Sequence, residues 1–231
     1  MFSSRCAPPG AFEVDDLVAN DDQAIRAWLT KKKFPNFRDK TSCIVGDSLA
    51  PGTGYTYAQM TPMARACELG QLNVCKFLHA HGAASDITIA DQRERTPMHW
   101  ACRNGHLLVC QWLFEVGAAA DISKPFHDSK PDRHGYTPMH MASERGHLPV
   151  CQWLYKVASD EVLTKASTQG RTPMHLACKG GNLSVCQWLI EVCEAEEIAK
   201  ADASGVTPMH WAYMYGNLSV CLLLALHGAL N

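Results

Sequence analysis

One short string recurs along this chain and limits what it can fold into. Thr-Pro-Met begins at Thr61, Thr96, Thr137, Thr172 and Thr207, giving spacings of 35, 41, 35 and 35 residues. Each copy continues in register, as TPMHWACRNGHLLVCQWL from Thr96, TPMHMASERGHLPVCQWL from Thr137, TPMHLACKGGNLSVCQWL from Thr172 and TPMHWAYMYGNLSVCLLL from Thr207. The copy at Thr61, TPMARACELGQLNVCKFL, has Ala in place of His. A fixed period of this length demands a unit built once and stacked, because a single such unit is too small to bury its own apolar face.

The unit follows from its residues. Thr before Pro is an N-cap followed by the first helical position, where proline's missing N–H costs nothing. The spacing predicts a short helix from Thr96 to about Gly105, whose missing Cβ lets the backbone turn left-handed and stop. A second helix then carries Leu107, Val109, Cys110, Leu113 and Phe114 at 3/4 spacing and ends near Gly117. Isolated helices this short are marginal in water, so the pairs must stack.

The T-P-M-H-x-A string, the helix–loop–helix unit and the turn projecting between units resemble the ankyrin repeat, with Met in place of Leu in its T-P-L-H-x-A signature. The expected fold class is all-α, an α-solenoid of stacked ankyrin-type repeats with projecting turns. Five repeats are placed near 56–90, 91–131, 132–166, 167–201 and 202–231. Residues 1–55 are read as a divergent capping repeat and an irregular loop. LVANDDQAIRAWL from Leu17 aligns without gaps to ACRNGHLLVCQWL from Ala101, while TSCIVGDSLAPGTGYTYAQM from Thr41 is rich in Gly, Ser and Thr.

His99, Cys102, His106 and Cys110 have spacings that suggest zinc ligands. Comparing the copies points elsewhere. His140, His175 and His210 recur at the place of His99, and Cys75, Cys151, Cys186 and Cys221 at that of Cys110, while their neighbours drift to Ser143, Asn182 or Tyr213. A position repeated in every unit is a packing position first. The resemblance implies that this His ties the start of one helix to the adjacent turn. No cysteine is singular enough for a nucleophile, and the recurring glycines are helix terminators, so neither a catalytic residue nor a cofactor is expected. Trp112, Trp153 and Trp188 recur at one second-helix site, with Trp28 matching it in the cap, and read as core between repeats or as the partly exposed back of the stack rather than as a binding cage.

Partner-binding residues should lie where the copies disagree, on the turn tips and the exposed side of the first helices, which the resemblance makes a concave binding surface. The candidates are Trp100, Arg103, Arg133, Tyr136, Met141, Arg145, Lys179, Trp211 and Tyr215, with Phe126 beside them. Arg, Trp, Tyr and Met are enriched at protein interfaces. The six extra residues between Thr96 and Thr137 fall in DISKPFHDSKPDRHGY and lengthen a projecting turn, either as a binding loop or as a neutral insertion. Phe126, His127 and Tyr136 are expected near its tip.

Charge supports a protein partner. The net charge is -2 with both signs interleaved, so no basic face is set out for nucleic acid or anionic lipid. Neither a signal peptide nor a membrane span is evident, and eleven cysteines on apolar helix faces fit reduced thiols. The expectation is an intracellular, cytoplasmic, monomeric scaffold or adaptor. Two rivals stand beside it. A metal- or redox-responsive regulator would expose reactive thiols, and a structural subunit of a larger assembly would expose an apolar patch, for which LLLALHGAL from Leu222 is the candidate.

Overall fold

The computed structural model describes residues 22–31, 60–126, 135–158 and 161–228. Five first helices, α2 (Pro62–Glu68), α4 (Pro97–Arg103), α6 (Pro138–Arg145), α9 (Pro173–Gly180) and α12 (Pro208–Met214), pack side by side in sequence order. Behind them runs a second row, α1 (Asp22–Lys31), α3 (Leu72–Ala80), α5 (Leu107–Leu113), α7 (Leu148–Val157), α10 (Leu183–Val192) and α13 (Leu218–Leu226), each touching the next. Short helical turns follow the second helices, among them α8 (Glu161–Thr164) and α11 (Ala195–Ala199).

Each first helix starts as the sequence predicts, with Thr at the N-cap and Pro in the first turn. Gly105, expected to end its helix, lies at φ 77°. The core sits between the two rows. In every repeat the Ala, Val and Leu at matched places are sealed, as in Ala101, Val109 and Leu113. Thiols pair across the two helices of a repeat, Cys67 with Cys75 at 3.6 Å, Cys102 with Cys110 at 3.5 Å and Cys178 with Cys186 at 4.0 Å. Burial and the neighbouring thiol push Cys67 and Cys102 well above the usual range, and burial pushes Cys151 up to about 12. The described cysteines are all free thiols and seven of them are buried.

Helix α1 stands first in the second row. It buries Ile25, Trp28 and Leu29 and packs on α3. The Gly/Ser/Thr-rich stretch from Thr41 lies outside the described residues except for Met60, which is buried.

The long turn shows where the six extra residues go. In the turn before α4, Asp91 N–H donates to Arg95 O and Glu94 N–H to Asp91 O. Before α6 the same two bonds run from Phe126 to Tyr136 and from Gly135 to Phe126. Eight residues, 127–134, therefore separate the bonded pair where two, Gln92 and Arg93, suffice in the shorter turn, a difference of six. The insertion is confined to the tip and leaves the helix register untouched. Contrary to expectation, Phe126 and Tyr136 are at its base, each 1% exposed, because they pair as an antiparallel bridge and pack edge to face. His127 lies outside the described residues.

Candidate interaction face

The turns before α4, α9 and α12 are each held by one side chain. Asp91 Oδ1 accepts from the N–H groups of Arg93 and Arg95, and Asp202 Oδ1 from those of Ser204 and Val206. Ser167 Oγ does the same for Gln169 and Arg171. Short oxygen-bearing side chains can fold back on their own backbone in this way, which fixes the turn without help from its outer residues. Burial alone would raise the Asp202 carboxyl, but the Val206 and Ser204 N–H groups and the Trp211 indole outweigh it and hold it below its ordinary range.

In α4, α6 and α9 the recurring histidine joins the helix to the next turn. His99 Nδ1 accepts from Thr96 N–H at 3.1 Å while Nε2 donates to Lys124 O at 2.8 Å. His140 bridges Thr137 to Arg171 O, and His175 bridges Thr172 to Val206 O, in the same way. Both ring nitrogens are thus committed to protein atoms, and burial lowers His99 to about 3 and His140 to about 4, so they stay neutral. A second set of ties runs the other way, from His106 to Glu68 O, His147 to Arg103 O, and Asn182 and Asn217 to the last carbonyls of the preceding first helix. The sequence offers His106 only as a possible zinc ligand and does not reveal these ties, although a Gly followed by His or Asn recurs at 105, 146, 181 and 216.

A family model described as ankyrin repeats, three copies, matches residues 47–125, 66–166 and 157–231. The chain belongs to the ankyrin-repeat family. No curated protein matches it. Ankyrin repeats generally mediate protein–protein interaction and are typically non-catalytic modules. Among the described residues no helix is long and apolar enough to cross a membrane, and no three His, Cys, Asp or Glu side chains converge as metal ligands would.

On this ankyrin scaffold the candidate binding residues divide into two layers. Trp100, Met141, Leu176 and Trp211 occupy one matched place on successive first helices and are buried, at 0–7% exposure. This corrects the expectation that they lie open. Their place faces the neighbouring repeat, so Trp100 packs on Met60 and Ala64, while Met141 and Leu176 close a small core with Phe126 and Tyr136. The outer layer consists of half-buried Arg103 and Lys179 and exposed Arg145 and Tyr215. Arg133 lies outside the described residues.

The two layers are in contact. The Arg95 guanidinium sits 4.1 Å from the centroid of Trp100 and that of Arg103 5.5 Å from the same ring. Arg171 lies 4.6 Å over Trp211, which stacks on Tyr215 at 5.7 Å. Lys179 Nζ lies 5.7 Å from the Tyr215 ring and bonds Glu144 Oε1 at 2.8 Å across the repeat boundary. A cation held over an aromatic face keeps its charge while losing rotamer freedom, which pre-pays part of the ordering cost of binding.

Proposed function

We propose that this chain is a non-catalytic scaffold or adaptor that binds a protein partner on the concave surface formed by the repeat turns and first helices, without a cofactor. One observation carries this reading. On that face Arg95 and Arg103 lie over the buried Trp100 ring, Arg171 and Lys179 lie over the buried Trp211 ring, and Tyr215 stacks on Trp211, while Arg145 is exposed. Arg, Tyr and Trp are the residues that dominate binding energy at protein interfaces. Arg103, Arg145, Lys179 and Tyr215 are the contact residues, with Trp100 and Trp211 as supports. A partner segment bearing carboxylates fits the cations.

The division into a capping region over 1–55 and five repeats over 56–231 goes with this reading. So does a reducing, intracellular setting, which suits a core lined with free thiols. The test is affinity capture from the native cell with the wild-type chain and with a variant carrying Arg103→Ala, Arg145→Ala, Lys179→Ala and Tyr215→Ala. Equal helicity and thermal midpoint are checked first. Capture of a defined protein by the wild type should fall by about 100-fold or more in the variant, since each hot-spot truncation costs upward of ~1 kcal/mol. Undiminished capture would refute this placement of the surface.

A further inference from the structure

The last helix pair differs from those before it. From Ala203 to Asn231 the chain contains no Asp, Glu, Lys or Arg. On α13, Leu222 and Leu226 stand where α10 has Gln187 and Glu191 and α7 has Gln152 and Lys156. They are 62% and 76% exposed, and with Leu218 at 69% they form a stripe at i, i+4 and i+8. At the end of α12, Tyr213 is 74% exposed where Cys178, Ser143 and Cys102 are sealed, and Met214 is 71% exposed where the earlier repeats carry Lys179, Glu144 and Arg103. A helix this apolar around its circumference is one that expects cover on more than one side.

Stacking of one more repeat does not account for the stripe. Gln187, Glu191, Gln152 and Lys156 remain exposed although a repeat follows each of them. Cover for Leu222 and Leu226 must come from another direction. We propose that this face binds a second copy of the chain, with the two α13 helices packed antiparallel about a two-fold axis.

Three features favour a second copy as the occupant. In a two-fold contact the same patch meets itself, so a charge near the axis faces its own like charge, and a run free of charged residues removes that repulsion. Leu218, Leu222 and Leu226 form a ridge of the i±4 kind that interdigitates with an identical ridge. Finally, the exposed surface of these leucines with Tyr213 comes to roughly 550 Å² per copy, so roughly 1,100 Å² in a pair, the size of a small, reversible interface. Because the leucine stripe lies on the outer edge of the stack, the dimer leaves the first-helix face of the preceding repeats open in both copies. Such a dimer is bivalent and gains avidity for any partner that is itself multimeric.

Sedimentation equilibrium of the full chain from ~1 to ~100 µM tests this directly. The wild type should be dimeric at the upper end and dissociate on dilution. A variant with Leu222→Gln and Leu226→Glu, the residues α10 carries at those places, should dissociate about 30-fold more readily or more, with its thermal midpoint at low concentration unchanged. A wild type that stays monomeric throughout overturns the proposal and assigns the face to a different chain or to solvent. A variant that dimerises as tightly as the wild type overturns it too, because the contact then lies elsewhere. Should the double variant unfold, Leu226→Glu alone and the wild-type dilution series still decide.

Discussion

Acidification is the perturbation that tests the histidine ties most directly. His99 and His140 are fully buried and neutral in the folded chain, each with a ring nitrogen accepting from a threonine N–H, so a proton added there would break a hydrogen bond and bury a charge. Their folded values, about 3 and about 4, lie below the ~6.5 that each recovers on unfolding. The unfolded chain therefore binds more protons below ~6.5, and the stability contributed by these groups is fully present above that value and lost as pH falls toward the folded values. Between about pH 7 and about pH 5 the linkage integral is ~2 kcal/mol per histidine, so ~4 kcal/mol for the pair. His106, His147 and His175, lowered chiefly by burial, add to it with the same sign. The assay is urea unfolding at constant ionic strength at half-unit pH steps, read by tryptophan fluorescence. Replacing His140 by Gln should remove one proton from the slope. A free energy of unfolding that is flat across this window, or that grows on acidification, would sink the idea that these rings are held neutral.

Two further outcomes follow from the packing. Gly181 and Gly216 both have φ near 70°, but a Cβ at Gly181 would stand 2.5 Å from Asn217 Oδ1 while one at Gly216 meets nothing within 4 Å. Gly181→Ala should therefore cost about 1–2 kcal/mol more than Gly216→Ala in thermal or urea unfolding, since both share the left-handed penalty and only the first must also displace a side chain. Among the described cysteines of the native protein, a thiol reagent should modify half-buried Cys193 and Cys221 first and the seven buried ones only on unfolding, as followed by mass spectrometry of the labelled peptides. Rapid labelling of Cys102 or Cys110 in the folded chain would restore the redox-regulator reading.

How much of this was readable in the sequence depends on whether a feature is local. Thr-Pro and Gly fix the helix ends through backbone chemistry within a few residues, and those ends are found where the copies place them. The histidine was also legible as a packing position, because it recurs in four of the five aligned copies, and the family resemblance implied its tie to the adjacent turn. The outer face was not. Trp100, Met141, Leu176 and Trp211 differ between copies and so look like contact residues, yet they differ because each fills a different gap beside its neighbour. Trp100 lies against Ala64, the one copy in which the histidine is missing. Variation between repeats thus mixes two causes, fitting an adjoining repeat and meeting a partner, and only three-dimensional packing separates them. The aromatic seats beneath Arg95, Arg171 and Lys179 are equally non-local, since each pair joins residues whose nearness depends on how the turn and helix fold together or on the next repeat.

The ties between repeats have one further consequence. Nearly all of them run from a side chain of fixed type, His or Asn, to a main-chain carbonyl. The residues that own those carbonyls are Glu68, Arg103, Lys124, Glu144, Arg171, Lys179 and Val206, among others. A carbonyl is present whatever side chain its residue carries, so these positions can exchange acid for base or charge for alkyl without losing the carbonyl ties. Several of them are the positions that line the first-helix face. The architecture thus places its cohesion in atoms common to all amino acids and leaves the outward groups free to drift toward new targets, so that specificity can be rewritten while the framework stays as it is.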